Sequence, residues 1–328
     1  MRAALPALLW ASAGATLLPL CVPPTEGQDD TFITCEVEVG EIPSDTPALP
    51  RTTNLTVVEY NIDRNGGGGD GPREAGLDPI SSLLQNQDLL PEFDVLIMSE
   101  VARGCDKWSS GASGAEAIAS HYPGFHYAYA VEFVNFDDAS AIGECSIGNA
   151  IISRYPLSSV DSFTFSSQCC RYGGRWGGRS SVCADLEVGG GGVRICSTHL
   201  ESGQPNAKMV LEGTYVRERQ AAELAKKLNE EGDEGQLLLL GGDMNAPLRK
   251  VDPTRLGFEH GGFADVHDEL PWSERGTAPD EAGGKVAVPL DMIYSSKEGN
   301  VLDAGVCSDD ECVGWSDHVP IFATIALD

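Results

Sequence analysis

The stretch Leu-Leu-Leu-Leu-Gly-Gly-Asp-Met-Asn-Ala-Pro at residues 237–247 decides the fold of this chain. A short, continuous apolar run bounded by glycines is typical of a strand that is buried on both faces. The two glycines allow the backbone to leave the sheet sharply. If the pleat continues beyond them, Asp243 and Asn245 point the same way and Met244 turns back into the core. We therefore predict a buried strand with two polar side chains at its mouth.

Two interpretations of Asp243 and Asn245 follow from this stretch alone. A carboxylate and an amide at the end of a buried strand can bind a hard cation, or hold a phosphate and a water molecule. The sequence Gly-Asp-x-Asn is also short and turn-rich, so an ordinary Asp/Asn turn accounts for it equally well. Other parts of the sequence are needed to distinguish a binding site from an ordinary turn.

Length, composition and charge limit the classes of protein to be considered. The 328 residues are 41% hydrophobic, which is enough for one large core or two small ones. The net charge of -28 argues against a protein that binds nucleic acid through a basic surface. It does not exclude an enzyme on phosphate esters, since a bound divalent cation supplies positive charge locally. A strongly acidic surface also suits a secreted protein, which self-repulsion keeps soluble.

Residues 1–21 have the pattern of a secretory signal peptide. Arg2 is followed by an apolar segment rich in Ala and Leu, in which small residues offer cleavage sites. A transmembrane anchor is the alternative, but Pro6 and Pro19 interrupt the apolar run. A lipid on Cys21 is a further alternative, although the large residue before it matches a lipoprotein cleavage site poorly. We expect a secreted protein, either extracellular or periplasmic.

Two further regions follow the signal. Residues 22–53 are acidic and Pro-rich, and we interpret them as a tether or an outer strand. We expect residues 54–328 to form one domain, because no linker divides them and no repeat occurs at a fixed period. The expected strands outnumber the helices, which favours stacked sheets with helices outside. The expected strands are 55–62, 93–98, 125–136, 148–157, 180–187, 193–200, 237–240, 286–294 and one after residue 318. The expected helices are 78–90, 113–120 and 214–229, and the stretch 252–285 is expected to be irregular.

Ten cysteines in a chain with an export signal predict disulfide bonds rather than zinc ligation. If Cys21 leaves with the signal, an odd number remains and one thiol is left over. The pairs that the spacing favours are Cys307 with Cys312, Cys105 with Cys145, and Cys183 with either Cys169 or Cys170.

Polar side chains recur where the predicted strands end. A lone Asp or His at such a place is more often a cap or a turn residue, but each member of this set follows an apolar strand, so one rim of the sheets is expected to collect them. Several carboxylates in one place repel one another unless a cation or a protonated histidine lies among them. Oxygen ligands without cysteine favour Mg²⁺, Ca²⁺ or Mn²⁺ over zinc. The set is Asn61, Asp63, Glu100, His199, Asp243, Asn245, Asp291, Asp317 and His318.

One segment of the sequence is locally basic: residues 169–179, Cys-Cys-Arg-Tyr-Gly-Gly-Arg-Trp-Gly-Gly-Arg. Arginines interleaved with a tyrosine and a tryptophan can hold a phosphate or stack on a base or a sugar. A disulfide-pinned loop whose arginines pair with the acidic surface is an alternative of equal weight. The arginines are Arg171, Arg175 and Arg179.

Taken in order, these motifs resemble the endonuclease/exonuclease/phosphatase superfamily, the DNase I-like fold. Each motif is unspecific alone, but together they follow the family's order over residues 55–328. Ser99 departs from the glutamine that the family commonly has before the glutamate. The motifs are Tyr-Asn-Ile-Asp at 60–63, Ser-Glu at 99–100, Gly-Asn-Ala-Ile-Ile-Ser-Arg-Tyr-Pro-Leu at 148–157, Ser-Thr-His-Leu at 197–200, Gly-Asp-Met-Asn at 242–245, Leu-Asp-Met-Ile at 290–293 and Ser-Asp-His-Val-Pro at 316–320.

The resemblance implies a four-layered α/β sandwich, in which two stacked mixed β-sheets are flanked by helices, and metal-dependent cleavage of a phosphate ester. The implied metal-binding residues are Glu100 as the principal ligand, Asn61, Asp63 and Asp317, with Mg²⁺ as the cofactor and Mn²⁺ or Ca²⁺ as alternatives. The implied catalytic residues are His199, Asp243, Asn245, Asp291 and His318. The candidate substrate-binding residues are Asn149 from the 148–157 motif and, from the basic segment, Arg171, Arg175 and Arg179.

The resemblance also implies roles for the catalytic residues. Asp243 and Asn245 would orient the attacking water and the phosphate. His318, held by Asp291 or Asp317, would transfer a proton or stabilise the phosphoryl oxygens. The other histidine of the set would bind the phosphate or assist the leaving group, and which of the two is the acid stays open. In-line displacement at phosphorus needs such groups, because charge must be neutralised and a water aligned.

The function that the resemblance predicts is a secreted phosphodiesterase of the DNase type, an endonuclease acting as a monomer on nucleic acid without an obligate protein partner. A sphingomyelin or phospholipid phosphodiesterase, or a phosphatase, is the alternative on the same core, with loops such as 169–179 and 252–285 selecting the substrate. Trp272 is a hint of a loop that faces lipid. A non-catalytic extracellular binding module is less favoured, because no member of the set is missing.

Overall fold

The computed structural model describes residues 37–43, 53–63, 77–103, 113–135, 145–168, 175–188, 192–202, 207–246, 252–279, 286–296, 300–313 and 315–327. The predicted signal peptide and most of the predicted lead segment lie outside these residues. No helix among the described residues is long and apolar enough to cross a membrane. The described residues form two stacked mixed β-sheets with helices on both outer faces, so the predicted four-layered sandwich is confirmed.

The first sheet has the strand order β1-β4-β5-β3-β2-β16-β15, with the short strand β7 paired to β4. Strands β2 and β3 run parallel, and every other neighbouring pair among these strands runs antiparallel. The strands are β1 (Glu38–Glu41), β2 (Asn54–Asn61), β3 (Val95–Arg103), β4 (His126–Asn135), β5 (Cys145–Ser153), β7 (Arg175–Gly177), β15 (Val301–Val306) and β16 (Ile321–Ala326).

The second sheet has the order β11-β14-β10-β9-β8-β6, and in it β9 and β10 run parallel. A separate two-stranded hairpin joins β12 (Ala278–Pro279) to β13 (Val286–Val288). The strands of the second sheet are β6 (Leu157–Thr164), β8 (Ser180–Leu186), β9 (Val193–His199), β10 (Leu237–Asp243), β11 (Ala264–Asp265) and β14 (Asp291–Ser295).

Four α-helices complete the described layers. Two of them pack on the outer face of the first sheet, where Ile80 and Ile118 join its core, and two pack on the second sheet, where Leu224 and Phe258 do the same. The helices are α1 (Leu77–Gln85), α2 (Gly114–Ala119), α3 (Ala207–Glu231) and α4 (Pro253–His260), and single 3₁₀ turns cover Trp272–Glu274 and Asp310–Cys312.

The leucine run of β10 is buried on both faces, as its composition predicts. Leu239 packs in the layer between the sheets, whereas Leu238 and Leu240 pack against the helices of the second sheet. Met244, just beyond the strand, is also fully buried. Because successive side chains of a strand point to opposite faces, only a strand enclosed by two layers needs apolar residues at every position. The run therefore places β10 near the centre of the sandwich.

Two predictions for the region after β10 are wrong. The stretch 252–285, expected to be irregular, contains α4, whose N-terminus is capped by the Asp252 side chain accepting from Thr254 N at 2.9 Å. Pro253 at the first helical position agrees with that cap. The strand expected over 286–294 is divided into β13 and β14. Strands β6 and β15 were not predicted, because their partly exposed faces carry no clear alternation.

The disulfide predictions have mixed outcomes. The Cys307–Cys312 bridge is present. The predicted pairing of Cys183 with Cys169 or Cys170 is wrong, because Cys183 is bonded to Cys196. The two lie directly opposite each other on the adjacent strands β8 and β9, a register that sequence spacing does not reveal. The predicted bridge from residue 105 lies outside the described residues.

Replacing Gly242 by alanine is expected to destabilise the fold severely. Gly242 has φ 148°, and an added Cβ would lie 1.7 Å from the carbonyl oxygen of Thr198 on the neighbouring strand. The parallel register pairs these two residues, so the clash involves backbone atoms that cannot move without breaking the sheet. We expect a loss of unfolding free energy above about 4 kcal/mol, measured by chemical denaturation.

Gly235 provides the matched control for this substitution. Its φ is also positive, at 82°, but no atom lies within 4 Å of an added Cβ. Gly235→Ala should therefore lower the free energy of unfolding by only about 1 kcal/mol, the cost of a left-handed backbone at a residue with a Cβ. Similar losses in the two variants would show that the close approach at Gly242 is not what fixes β10 against β9.

Candidate functional site

A cavity of about 350 Å³ lies at the ends of the central strands. Six of the nine polar residues that the sequence places at strand ends line it, together with apolar side chains such as Phe133 and Leu290. Asp291 and Asn61 contact these residues from just beneath the cavity, as described below. The six are Glu100, His199, Asp243, Asn245, Asp317 and His318.

Strand register explains why three of the site residues meet. Strand β10 lies between β9 and β14, and its last residue, Asp243, pairs with His199 on one side and Asp291 on the other. The side chains of a register row point to the same face of a sheet. The row is buried, since these three residues are each at most 2% exposed. It forms the floor of the cavity rather than an open rim.

Asp243 is held by two hydrogen bonds. Its Oδ2 accepts from Asn61 Nδ2 at 3.0 Å, which ties the second sheet to the end of β2 in the first. Its Oδ1 accepts from the backbone N of Asn245 at 2.7 Å in a tight turn. The Asn245 side chain then donates to the carbonyl oxygen of Leu200 at 3.0 Å. The carboxylate therefore has a fixed orientation before any ligand binds.

His318 is bound to Asp291. Its Nδ1 lies 2.6 Å from Asp291 Oδ2, whereas its Nε2 lies 3.8 Å from Asp243 and 4.0 Å from Asp317. Of the two partners that the sequence left open, Asp291 is the one that orients the ring. Burial lowers the pKa of His318, but the charge and hydrogen bond of Asp291, with help from Asp243, outweigh burial and raise that pKa well above its ordinary value. An imidazolium between two carboxylates results.

His199 has a second carboxylate partner that the sequence did not reveal. Its Nδ1 lies 3.3 Å from Glu132 Oε2 and 2.7 Å from Arg179 Nη1, and Arg179 also donates to Glu132 Oε1 at 2.7 Å. We infer that His199 Nδ1–H donates to Glu132 Oε2, because that buried oxygen has no other hydrogen-bond partner among the described residues. Its Nε2 then faces the cavity, 3.4 Å from Asp243 and 4.0 Å from Glu100.

The charges of this second cluster are coupled. Burial and the Arg179 guanidinium lower the pKa of His199, but Glu132 and Asp243 outweigh them, so that the pKa of His199 lies above its ordinary value. Burial raises the pKa of Glu132, yet Arg179 and His199 outweigh it and leave that pKa below its ordinary value. Glu132 is thus ionised. In the sequence, Glu132 stands out only as a charged residue within the aromatic-rich strand β4.

Glu100 reaches the cavity through an irregularity in β3. The register between β3 and β5 shifts between Met98 and Val101, so that Ser99 and Glu100 form a bulge. A bulge redirects a side chain that the regular pleat would place elsewhere. Glu100 has φ 54°, and the site residues Asp63 and Asn245 also have positive φ. Left-handed backbone at non-glycine residues is disfavoured and concentrates at functional sites.

The predicted metal-binding residues suit a hard cation. Their donors are carboxylate and amide oxygens, the ligands that Mg²⁺, Mn²⁺ and Ca²⁺ prefer. Glu100 and Asp317 line the cavity with side chains that are 24% and 52% exposed, so both remain open to a hydrated ion. Asn61 Oδ1 already accepts from Asp63 N at 3.0 Å and retains a second lone pair. Asp63 itself is buried and does not line the cavity.

A second group of potential ligands comprises Asp243, Asp291 and His318, whose donor atoms lie within 4.8 Å of one another. The bond between His318 and Asp291 already supplies a positive charge between the two carboxylates. The oxygen-rich and more exposed group around Glu100 is therefore the better fit to a hydrated Mg²⁺ ion.

The predicted substrate-binding residues are spread over several places. Asn149 is fully buried, and its Nδ2 donates to the carbonyl oxygen of Ser180 at 3.0 Å. Arg179 lines the cavity but is paired with Glu132. The backbone of Arg175 pairs with Asn135 at the end of β4, while its side chain and the whole of Arg171 lie outside the described residues.

A further carboxyl group lies beneath the cavity. Glu59 on β2 is fully buried, and neither of its oxygens has a hydrogen-bond partner among the described residues. Burial is the main cause that raises the pKa of Glu59 well above its ordinary value, and the charges of Asp291 and Asp243 add to it. In the sequence, this residue is recognisable only as part of a predicted β-strand.

The sequence of this chain matches a known protein family. A family model described as the Endonuclease/Exonuclease/phosphatase family matches residues 58–318. No curated protein matches the chain.

Several solved structures share the fold. The endonuclease/exonuclease/phosphatase from Beutenbergia cavernae DSM 12333 is 18% identical, with 84% of this chain and 72% of that chain covered and a TM-score of 0.63. A family protein from Bacteroides thetaiotaomicron is 19% identical, with 85% and 100% covered and a TM-score of 0.56. TDP2 from D. rerio, complexed with a single strand DNA product, is 17% identical, with 83% and 99% covered and a TM-score of 0.57. At these identities the likeness shows the fold.

Proposed function

The chain belongs to the endonuclease/exonuclease/phosphatase family of phosphoric ester hydrolases, and on that premise we propose that it is a Mg²⁺-dependent phosphodiesterase that cleaves DNA as an endonuclease. The observation that carries the proposal is the convergence around Asp243. Two histidines lie on opposite sides of this one carboxylate, at 3.4 and 3.8 Å, and each has its own acidic partner. Hydrolysis at phosphorus needs an oriented water and groups that stabilise charge on both sides.

In this proposal Asp243 is the group that orients the attacking water. Its carboxylate is fixed by Asn61 and by the backbone of Asn245, so it needs no reorganisation when substrate binds. Its Oδ2 lies 3.4 Å from His199 Nε2 and 3.8 Å from His318 Nε2, between the two rings. A water that donates a hydrogen bond to this oxygen is held at the floor of the cavity, next to the position of the phosphate.

The two histidines act as donors toward the phosphate. His318 is kept as an imidazolium by Asp291, and its Nε2 can donate to a non-bridging oxygen of the phosphate. His199 is oriented by Glu132, so that its Nε2–H faces the same space from the other side. A donor on either side of a developing pentacoordinate phosphorus stabilises its charge, and one of them can pass a proton to the leaving group.

The metal ion would be held by Glu100, with Asn61 and Asp317 close enough to contribute. When bound, it would add positive charge to a cavity rich in carboxylates and act as a Lewis acid toward the phosphate. The described cavity lining carries several carboxylates, and its one arginine, Arg179, is already paired. Phosphate binding without a cation would therefore be opposed by like charge.

Export agrees with the buried disulfide between Cys183 and Cys196, since such bonds form and persist in oxidising compartments. We therefore propose a secreted enzyme, extracellular or periplasmic, that works as a monomer. D. rerio TDP2, one of the proteins similar in fold, was solved with a single strand DNA product, which supports nucleic acid as the substrate of this chain.

A phospholipid or sphingomyelin substrate is the second candidate. Val313 and Trp315 are 47% and 37% exposed, and they precede Asp317 and His318 on the same loop. Exposed apolar side chains beside a site suit an enzyme that must approach a lipid surface.

The experiment that separates the candidates is hydrolysis of plasmid DNA and of sphingomyelin vesicles by the purified protein, each with Mg²⁺ and with EDTA. Nicking of DNA that EDTA abolishes is the expected result. Cleavage of lipid without cleavage of DNA would replace the endonuclease by a phospholipid phosphodiesterase. Activity on phosphate monoesters alone would make the protein a phosphatase.

Asp291→Asn is expected to move the alkaline limb of the pH–rate profile to lower pH. Activity requires His318 to be protonated and falls as pH rises through its pKa in the folded enzyme. The charge and hydrogen bond of Asp291 raise that pKa, so neutralising Asp291 lowers it and moves the limb to lower pH. The measurement is kcat against pH at saturating Mg²⁺.

Asp185→Asn is the control for this profile. Asp185 also pairs with a cation, Arg194, but at the end of β8 far from the cavity. Its profile should coincide with that of the wild type. An alkaline limb that stays in place in Asp291→Asn would contradict the assigned role of His318.

A further inference from the structure

Glu59 is out of place in the layer where it lies. The layer between the two sheets is otherwise apolar and includes Val57, Ile97 and Ile293. A carboxyl group without a hydrogen-bond partner in such an apolar layer destabilises the folded protein, whether or not the group is ionised. Residues of this kind persist where they serve the site at the expense of stability.

The fold leaves room for this side chain at Gly241. A Cβ on Gly241 would lie 3.5 Å from Glu59 Cγ and 2.9 Å from Ile97 Cδ1. Glycine at this position of β10 therefore accommodates a long side chain that crosses from the first sheet toward the second. Glu59 is also two residues before Asn61 on β2, so it points to the same face as the amide that binds Asp243.

A second unpartnered oxygen lies on the other side of the layer. Asp291 binds His318 through Oδ2, but its Oδ1 is buried and has no hydrogen-bond partner among the described residues. Gly241, which faces the Glu59 side chain, is two residues before Asp243 on β10, and Asp243 pairs with Asp291 on β14. Buried polar groups in native proteins are almost always paired, with protein or with a trapped water. One hydrogen-bonded link would satisfy both carboxyl groups.

We propose that Glu59 is a positioning residue that acts through Asp291, and that its buried carboxyl group fixes the Asp291–His318 pair from inside the core by hydrogen bonding, directly or through one water. The inference rests on the proposed function, because it assigns Glu59 to the same hydrolysis. With Glu59 in place, Asp291 is constrained at both oxygens and cannot rotate away from the His318 ring. The catalytic geometry is thereby fixed without contact between Glu59 and the substrate.

The test compares Glu59→Met and Glu59→Gln in the purified full-length protein. Methionine keeps the unbranched shape and removes the hydrogen bonds, whereas glutamine keeps both. With bis(4-nitrophenyl) phosphate and Mg²⁺, we expect Glu59→Met to lower kcat by about 10- to 100-fold with KM little changed. Its melting temperature should stay within a few degrees of that of the wild type, because removing the cost of burying a carboxyl group offsets the hydrogen bonds that are lost. Glu59→Gln should retain kcat within about threefold of the wild type.

Glu38→Gln serves as the control, since Glu38 is likewise buried but pairs with Arg103 at the edge of the first sheet. Its kcat should match that of the wild type. Wild-type kcat in Glu59→Met would overturn the proposal. So would a loss of kcat accompanied by a large fall in melting temperature or by failure to fold, because the carboxyl would then support the fold rather than the reaction. A wild-type protein without activity would contradict the proposed function itself.

Discussion

Asp243→Asn is expected to abolish hydrolysis while leaving the protein folded. The substitution keeps the size of the side chain and an oxygen that can accept from Asn61 or from the Asn245 backbone. It removes the negative charge that orients the attacking water and that both histidines face. Loss of a group with this role lowers kcat by about 10³-fold or more.

The stability of Asp243→Asn separates a chemical from a structural role. Asp243 lies near the Asp291 and Glu59 carboxyl groups, so neutralising it relieves repulsion and offsets the weaker hydrogen bonds. We expect the melting temperature to stay within a few degrees of the wild type, with Asp185→Asn as the active control. A fall in activity matched by a large fall in melting temperature would contradict the assignment.

Glu100→Gln is expected to remove activity by weakening the metal site. The amide is nearly the same size but is a poorer ligand for a hard cation than the carboxylate. We expect the Mg²⁺ concentration for half-maximal rate to rise by at least about 100-fold, with a residual rate that excess Mg²⁺ partly restores. Titration of the rate with MgCl₂, together with calorimetric titration of metal binding, measures both effects.

Glu92→Gln is the matched control for Glu100→Gln. Glu92 precedes β3 at the opposite end of the strand and its side chain is 64% exposed, where it pairs with Arg154. The rate and its Mg²⁺ dependence should not change. If Glu100→Gln bound Mg²⁺ as tightly as the wild type and lost only kcat, Glu100 would be a catalytic group rather than the principal ligand.

The part of the site that the sequence predicts follows from the leucine run of β10 and from the polar residues at the strand ends. A strand with no polar face must be central, and the parallel pairs β2–β3 and β9–β10 bring strand ends to one edge. Residues that follow such strands therefore meet in space although they are far apart in sequence. This is why Asn61, Glu100, His199 and Asp243 could be assigned to one place before the structure was known.

The features that the sequence did not predict depend on register and packing. The partner of Cys183 follows from the alignment of β8 with β9. Glu132 and Glu59 each resemble the outward-facing polar residue of an ordinary strand, and only their burial between layers distinguishes them. The sequence predicts that one rim of the sheets collects Asp243 and His318, but it does not predict their burial, since they are only 2% and 7% exposed.

The measurement that tests the central claim most directly is the rate of phosphodiester hydrolysis by the wild-type protein as Mg²⁺ is removed and restored. The account predicts a rate that saturates with Mg²⁺, vanishes in excess EDTA and returns when Mg²⁺ exceeds the chelator, because the acidic cavity cannot hold a phosphate without a cation. A rate that is unchanged in EDTA would contradict it, since the two histidines would then be sufficient to bind and activate the phosphate among the carboxylates without a metal ion.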